Sequence, residues 1–435
     1  MSATTVVKSI LIQSGTGETS RFGRSKTVTS MSSKEKPIRI AVFLPTLGHP
    51  RHAKRVSMLI EAGFEVRVLA FERPYHNGRM PECPITVLGK IDHGNYLSRA
   101  MKFAKAFGPM REGIKWCDLI YAFGPDLAAA CKASGVGLKK PLIFELGDVT
   151  GAQLSKGIKG KMVRQLDRVV ANRAKLIVTT SSKFIDVYYR EWIKTKTDGL
   201  VIENKLEAPF CAQTRNEIQF EDLPGNLATQ ERPLKIGYFG FLRNAWSLKV
   251  LSGLVDRYPN RFEVSIAGHP IESAAALLEE ISSHPKITYH GTYKSPEDLH
   301  SLYGSVDMVW ACYQPLKHDD WAYLWARPNR FYQACLFAKP IFSRAGCLDS
   351  EEVTRLGIGK NIETEEVNAT VERVASINAD DVIQWTENMR ALPSSMFSYT
   401  DEVATLKDRI VEILSARKAS SNYEMYRSEK RTCAE

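Results

Sequence analysis

Two series of short β-branched runs, each alternating with helical segments and separated by a polar break, constrain this chain more than any other feature. From Ile38, IRIAVFLP leads into HAKRVSMLIEAG, where Val56, Leu59 and Ile60 recur at helical spacing and Gly63 closes the helix. FEVRVLAF, ITVLG, DLIYAFG, PLIFELGD, KLIVTTS and GLVIENK continue the first series. Residues 206–233 interrupt it; they are polar and carry Pro209, Pro224, Gly225 and Pro233, so they read as a linker or insertion. LKIGYFGF, FEVSIAGH, ITYHG, VDMVWACY and PIFSRA then form the second series. Short apolar strands with helices between them call for a parallel sheet covered on both faces. The expected class is α/β: doubly wound, Rossmann-like domains over 37–205 and 234–395 facing across a cleft, with a closing helix at 396–415.

A chain of 435 residues is long enough for two such cores. No uninterrupted apolar run approaches the ~18 residues that span a bilayer, and VVKSILIQSG is too short and interrupted for a secretory signal, so a cytoplasmic protein is expected. The eight cysteines contain no C-x-x-C pair, which argues against a zinc site or a disulfide framework. Of the net charge of +10, residues 1–36 carry +4 and residues 416–435 carry +2; both ends read as disordered tails, and the moderate charge between them gives no case for nucleic acid.

In open α/β sheets ligands sit at the carboxyl ends of strands, so the loops there are the places to search. The first strand ends in PTLGHPRHAKRV, with Gly48 alone where a dinucleotide site would have three glycines. Gly48, His49 and Arg51 at that helix entrance form a candidate anion or acceptor loop, against the plainer reading of a solvated basic face. In GYFGFLRNAWSLKVL, Gly240 permits close backbone approach, and Arg243 and Lys249 can clamp a diphosphate. RPNRFYQACLFAKPIF places Pro328 at a helix start, with Asn329 and Arg330 at its ligand end. Phe331, Ala334, Cys335 and Ala338 read as core, and Gln333 faces either a ligand or solvent. No D-x-D triplet, P-loop or G-x-S-x-G elbow occurs, so no metal and no cofactor is expected.

Over residues 37–415 these features resemble the GT-B glycosyltransferases, closest to retaining family 4. GFLRNAWSLK has that family's Arg, five residues, Lys spacing; IAGHP supplies Gly268, YHGTY supplies Gly291, and VDMVWACY supplies Asp307. PNRFYQACLFAKPI follows the P-N-K/R-x-x-E-A-x-A-x-G-K-P pattern, and Asn204 matches the domain junction. The resemblance implies a GT-B fold and sugar transfer from a nucleotide-sugar donor to a glycan or lipid-linked acceptor, with retention and without metal. It implies catalytic roles for Arg243, Lys249 and Asp148, and donor binding by Gly240, Gly268, Asn329, Arg330 and Gln333. Three departures stand out: Gln333 and Trp325 occupy the positions of the two glutamates of the E-x7-E motif, and Gly147 replaces a histidine close to the transferring sugar. They motivate a competing reading, a degenerate GT-B binding protein without transferase activity; a sugar-nucleotide epimerase is the remaining enzymatic alternative.

An anionic membrane surface is a further candidate partner. Two segments, 96–116 and 159–170, interleave basic and apolar residues as interfacial helices do. For 159–170 the favoured expectation is that Met162, Leu166 and Val169 pack on the first sheet; for 96–116 both readings stay open.

Overall fold

The computed structural model describes residues 36–73, 80–91, 96–136, 138–218, 232–313 and 321–432. The first series of apolar runs forms seven strands: β1 (Arg39–Leu44), β2 (Glu65–Glu72), β3 (Ile85–Lys90), β4 (Leu119–Phe123), β5 (Leu142–Leu146), β6 (Leu176–Thr179) and β7 (Gly199–Val201). They pair in the order β3-β2-β1-β4-β5-β6-β7, every pair parallel. The second series forms β8 (Leu234–Phe239), β9 (Phe262–Ala267), β10 (Ile287–Tyr289), β11 (Met308–Trp310), β12 (Ile341–Arg344) and β13 (Gly359–Ile362), in the order β10-β9-β8-β11-β12-β13, again all parallel. Strands such as Leu119–Phe123 and Leu142–Leu146 are buried at every residue, because helices cover both faces. Each sheet reverses its winding once, between β1 and β4 in the first and between β8 and β11 in the second. Crevices at the carboxyl ends of these strand pairs are where the fold makes room for ligands.

From Pro37 to Glu435 the chain packs as one unit. Three segments tie its two sheets together. The stretch 206–233 is not simply a linker: it contains the helix Ala208–Glu217, and Leu206 and Cys211 pack into the second sheet's core. The helix Trp321–Trp325 lies in sequence between β11 and β12, yet Trp321 belongs to the first sheet's core. The closing helix spans Glu402–Thr432, longer than the expected 396–415 and running through the stretch read as a tail from 416; Leu406 and Ile410 pack beside Ile40 and Val42 of β1.

The two basic amphipathic segments part company. In 96–116, Phe103, Met110 and Ile114 are buried against the first sheet. The segment 159–170 corrects the expectation: in the helix Ile158–Arg173 it is Gly160, Asp167, Val170 and Ala171 that face inward, and Met162, Leu166 and Val169 are exposed. A π-helical stretch, Phe184–Trp192, packs beside it. Among the described residues no helix is long and apolar enough to cross a membrane.

Candidate active site between the two sheets

The first sheet contributes the loop after β1 and the loop after β5. Gly48 takes φ +75°, which turns the chain into the helix Pro50–Glu61, and His49 caps that helix by accepting from the Arg51 N–H at 3.3 Å. The Arg51 guanidinium reaches across to Asp148, after β5, at 3.4 Å. It lies over Gly147: a Cβ there would fall 1.8 Å from the Arg51 Cζ. Gly48, His49, Arg51, Gly147 and Asp148 therefore form one cluster. Glu145, within β5 two residues before Gly147, is occupied elsewhere: its buried carboxylate accepts from Arg55 Nε at 2.8 Å and from the Tyr121 hydroxyl. That pair is structural.

The second sheet contributes the loops after β8, β9 and β11. Gly240 (φ +104°) and Gly268 (φ +140°) meet backbone to backbone; a Cβ on Gly268 would fall 1.7 Å from the Gly240 carbonyl oxygen. Gly268 is thus required for the close approach of two loops, whatever else it touches. Beyond them, Asn244 caps the helix Ala245–Arg257 by accepting from the Ser247 N–H at 2.9 Å. Arg243, just before the cap, is exposed with its guanidinium 5.5 Å from the Phe241 ring, and Lys249 is exposed on the second turn.

The helix Asn329–Leu336 stands between these loops and the first lobe. Asn329 accepts from the Asn204 side-chain amide, which joins the lobes at the crossover after β7. Lys54 supports the same crossover, donating to the carbonyls of Asn204 at 2.9 Å and Lys205 at 2.8 Å. Arg330 is buried, donates to the Trp310 carbonyl at 3.3 Å, and lies 5.1 Å and 5.5 Å from the rings of Tyr238 and Tyr313. Among the described residues no carboxylate pairs with it. A buried guanidinium has five donors and a full charge, and desolvating it without a counter-ion is costly. Its position, between β8 and the end of β11, is the second sheet's switch point.

Gln333 is 3% exposed, so it is not a surface residue, and its amide oxygen accepts from the Tyr303 hydroxyl at 2.8 Å. Trp325 packs on Phe184 and Trp321, against the first lobe. Arg327, which sequence reading passed over, pairs with Asp349 at 3.0 Å, Glu203 at 3.2 Å and Glu352 at 3.9 Å, bridging the lobes. Its partners lie more than twenty residues away on either side, so no local motif marks it.

Two doubly wound parallel sheets, with Arg51 and Asp148 at the carboxyl ends of β1 and β5 on one side, Arg243 after β8 and Arg330 on the helix Asn329–Leu336 on the other, and a closing helix returned to the first lobe define a GT-B glycosyltransferase fold. Sucrose-phosphate synthase from Thermosynechococcus elongatus superposes with a TM-score of 0.66 at 13% identity, covering 87% of this chain and all of that one. WaaG, a glycosyltransferase of lipopolysaccharide biosynthesis, gives 0.61 at 14% identity over 85% of this chain and 98% of its own. Anabaena HepE, solved in complex with UDP-glucose, gives 0.58 at 16% identity over 87% and 99%. In sequence, the chain is 26% identical over 344 residues to the succinoglycan biosynthesis protein ExoL of Rhizobium meliloti (strain 1021), covering 76% of this chain and 83% of ExoL. No protein-family model matches the chain.

Proposed function

We propose that this protein is a nucleotide-sugar-dependent glycosyltransferase of polysaccharide biosynthesis, a retaining hexosyltransferase of the family 4 type acting on a glycan or lipid-linked acceptor. The observation that carries the donor side is Arg330, a buried cation at the β8/β11 switch point whose described neighbours are a carbonyl and aromatic rings. A nucleotide diphosphate would supply an anion that none of Arg330's described hydrogen-bond partners provides. Arg243 and Lys249, both exposed near the start of the helix that follows β8, would neutralise charge growing on the leaving phosphate, the kind of contribution that is usually largest in catalysis. In the reaction the bond from the sugar's anomeric carbon to the diphosphate oxygen breaks, a bond to the acceptor oxygen forms on the same face, and the acceptor proton passes to the leaving phosphate. The reading draws its positive charge from these side chains, without a metal ion. It sets Gly48, His49 and Arg51 on the acceptor side, Asp148 beside them as a catalytic residue, and the reaction in the cytoplasm, where a lipid-linked acceptor would be met at an anionic membrane surface.

Because HepE was solved with UDP and UDP-glucose, UDP is the first nucleotide to test. Binding raises the melting temperature by an amount set by affinity and concentration. UDP, GDP, ADP and dTDP at millimolar concentration should separate, with one giving a clear shift that Arg330→Met and Arg243→Ala each diminish. Undiminished shifts in both variants would move the donor site elsewhere. Gln333, held by Tyr303, and Gly147, filled by Arg51, keep the second reading open: a protein that binds the nucleotide without transfer. Nucleotide binding with no release of sugar from any donor, acceptor present, would favour it.

A further inference from the structure

A cavity of about 380 Å³ opens between the two lobes, beside the crossover that follows β7. Its size falls within the roughly 300–1,000 Å³ of small-molecule sites. The first lobe lines it with Ser181 and Ser182, after β6, and with Glu203 in the crossover; the second lines it with Arg327, Glu352 and Met396. The wall adjoins the loop after β5 through Thr180, whose hydroxyl donates to the Gly147 carbonyl at 2.6 Å. Ser181 is 1% exposed, and among the described residues its hydroxyl has no hydrogen-bond partner. A buried hydroxyl left unpaired is costly, and on the wall of a cavity it marks a place where a ligand would supply the missing bond.

Charge decides the kind of ligand. Arg327 faces three carboxylates, Asp349 at 3.0 Å, Glu203 at 3.2 Å and Glu352 at 3.9 Å. The other cation on the wall, Lys205, is held by Glu402 at 2.6 Å. Both cations are matched, so a phosphate or a carboxylate entering here would meet negative charge at close range. The acids keep capacity to spare. A carboxylate has about four lone-pair sites, and Arg327 donates to one oxygen of Glu203. On Glu352, Arg355 bonds Oε2 at 2.5 Å, which leaves Oε1 with Arg327 at 3.9 Å. Val201, Leu348 and Met396, all half-buried, add apolar surface to the same wall. Hydroxyl donors along an edge and C–H groups across a face are the make-up of a pyranose ring. We propose that this cavity binds one neutral pyranose unit, at a site distinct from the cations of the donor side. Ring hydroxyls donate to Glu203 and Glu352, another accepts from Ser181, and the ring face lies on Leu348 and Met396. Each lobe supplies part of the wall, so the bound sugar ties the lobes together at the crossover. Binding here does not depend on sugar transfer.

Ligand-observed NMR on the full chain tests this without a nucleotide, using the methyl glycosides of glucose, galactose and mannose, and glucuronate as the charged counterpart. At least one neutral glycoside should bind, and glucuronate should bind about tenfold more weakly than that glycoside, because like charges brought together are penalised. Ser182 is exposed on the rim, so Ser182→Trp should block the cavity and lower the affinity by about tenfold or more, with a cooperative thermal melt showing that the variant is folded. Glu352→Gln keeps the shape of the side chain and removes its charge. It should weaken the neutral glycoside on the order of tenfold and narrow its lead over glucuronate, and it decides the matter if Ser182→Trp fails to fold. Absence of binding by every neutral glycoside overturns the proposal, as does glucuronate binding as tightly as the best of them. Undiminished affinity in either folded variant also overturns it, placing the sugar on the donor side instead.

Discussion

Gly147 has no side chain, and the guanidinium of Arg51 lies where one would be. A Cβ at this position would fall 1.8 Å from Arg51 Cζ, so Gly147→Ala must push the guanidinium aside. The arginine is flexible at that end and its pair with Asp148 is partly exposed, so the stability cost should stay within about 1 kcal/mol. If Arg51 serves the acceptor side, turnover should fall by about tenfold or more in Gly147→Ala, similarly in Arg51→Ala, and no further in the double variant, since residues in contact are not additive. Losses that multiply in the double variant would show two separate roles. The position was readable as a departure from the family pattern, but its occupant was not, because Arg51 comes from the helix after β1, a strand two places from β5 in the sheet. Gln333 is a similar case. Helical spacing sets it among core positions, and either a ligand or solvent fits that spacing; Tyr303, thirty residues earlier, supplies the partner. Arg330 was readable because a helix N-terminus favours an anion, and its burial adds that the charge is desolvated.

The joint between the helix Ile158–Arg173 and the π-helix Phe184–Trp192 turns on one buried acid. Asp167 accepts from the Tyr188 hydroxyl and from Gln153 Nε2 at 2.8 Å, and burial pushes its carboxyl up from 3.8 to about 6. The folded state then holds this proton to higher pH than the unfolded chain does. Stability from Asp167 is fully present below about pH 4 and falls as pH rises through about 6, by on the order of 3 kcal/mol. Asp167→Asn keeps an acceptor for Tyr188 and removes the titration. Urea unfolding at pH 4.5 and pH 7 should show the variant gaining on the wild type as pH rises; a pH-independent difference would mean that Asp167 does not titrate there. The elements themselves were legible where apolar β-branched runs announce them, as in IRIAVFLP and FEVSIAGH. β13 was missed because Gly359, Lys360 and Asn361 have little strand propensity; the open edge of β12 recruits them. Gly359 suits the place, since a Cβ would fall 2.0 Å from the Ile341 carbonyl oxygen. The helix Ile158–Arg173 was legible as a helix but not in its orientation. Met162, Leu166 and Val169 make one apolar arc and Val163 and Val170 another, and periodicity does not say which one the lobe takes.

At the scale of the whole molecule, the segment Trp321–Trp325 departs most from a plain pair of Rossmann domains. It belongs in sequence to the second sheet, but Trp321, 9% exposed, packs in the core of the first. Its ring lies 4.4 Å from Trp192, 6.4 Å from Tyr188 and 4.3 Å from Trp325, which in turn meets Phe184 at 6.4 Å. The contact therefore falls on the π-helix of the first lobe, beside the helix Ile158–Arg173. Arg327, two residues after Trp325, extends the tie through Glu203, and Asn329 does so through Asn204. Truncating a buried tryptophan costs about 3–5 kcal/mol through lost contacts and the space left behind. Here most of that loss should fall on the lobe that does not own the residue. Trp321→Ala is thus expected to lower amide-exchange protection in Ile158–Arg173 and Phe184–Trp192 while β8, β9 and β12 keep theirs, since local openings follow local packing. Trp246→Ala provides the contrast, because Trp246 stacks on Trp310 inside the second lobe and should affect only that lobe. Equal loss across both sheets in Trp321→Ala would mean that the lobes unfold as one cooperative block, and that this strap is one contact among many.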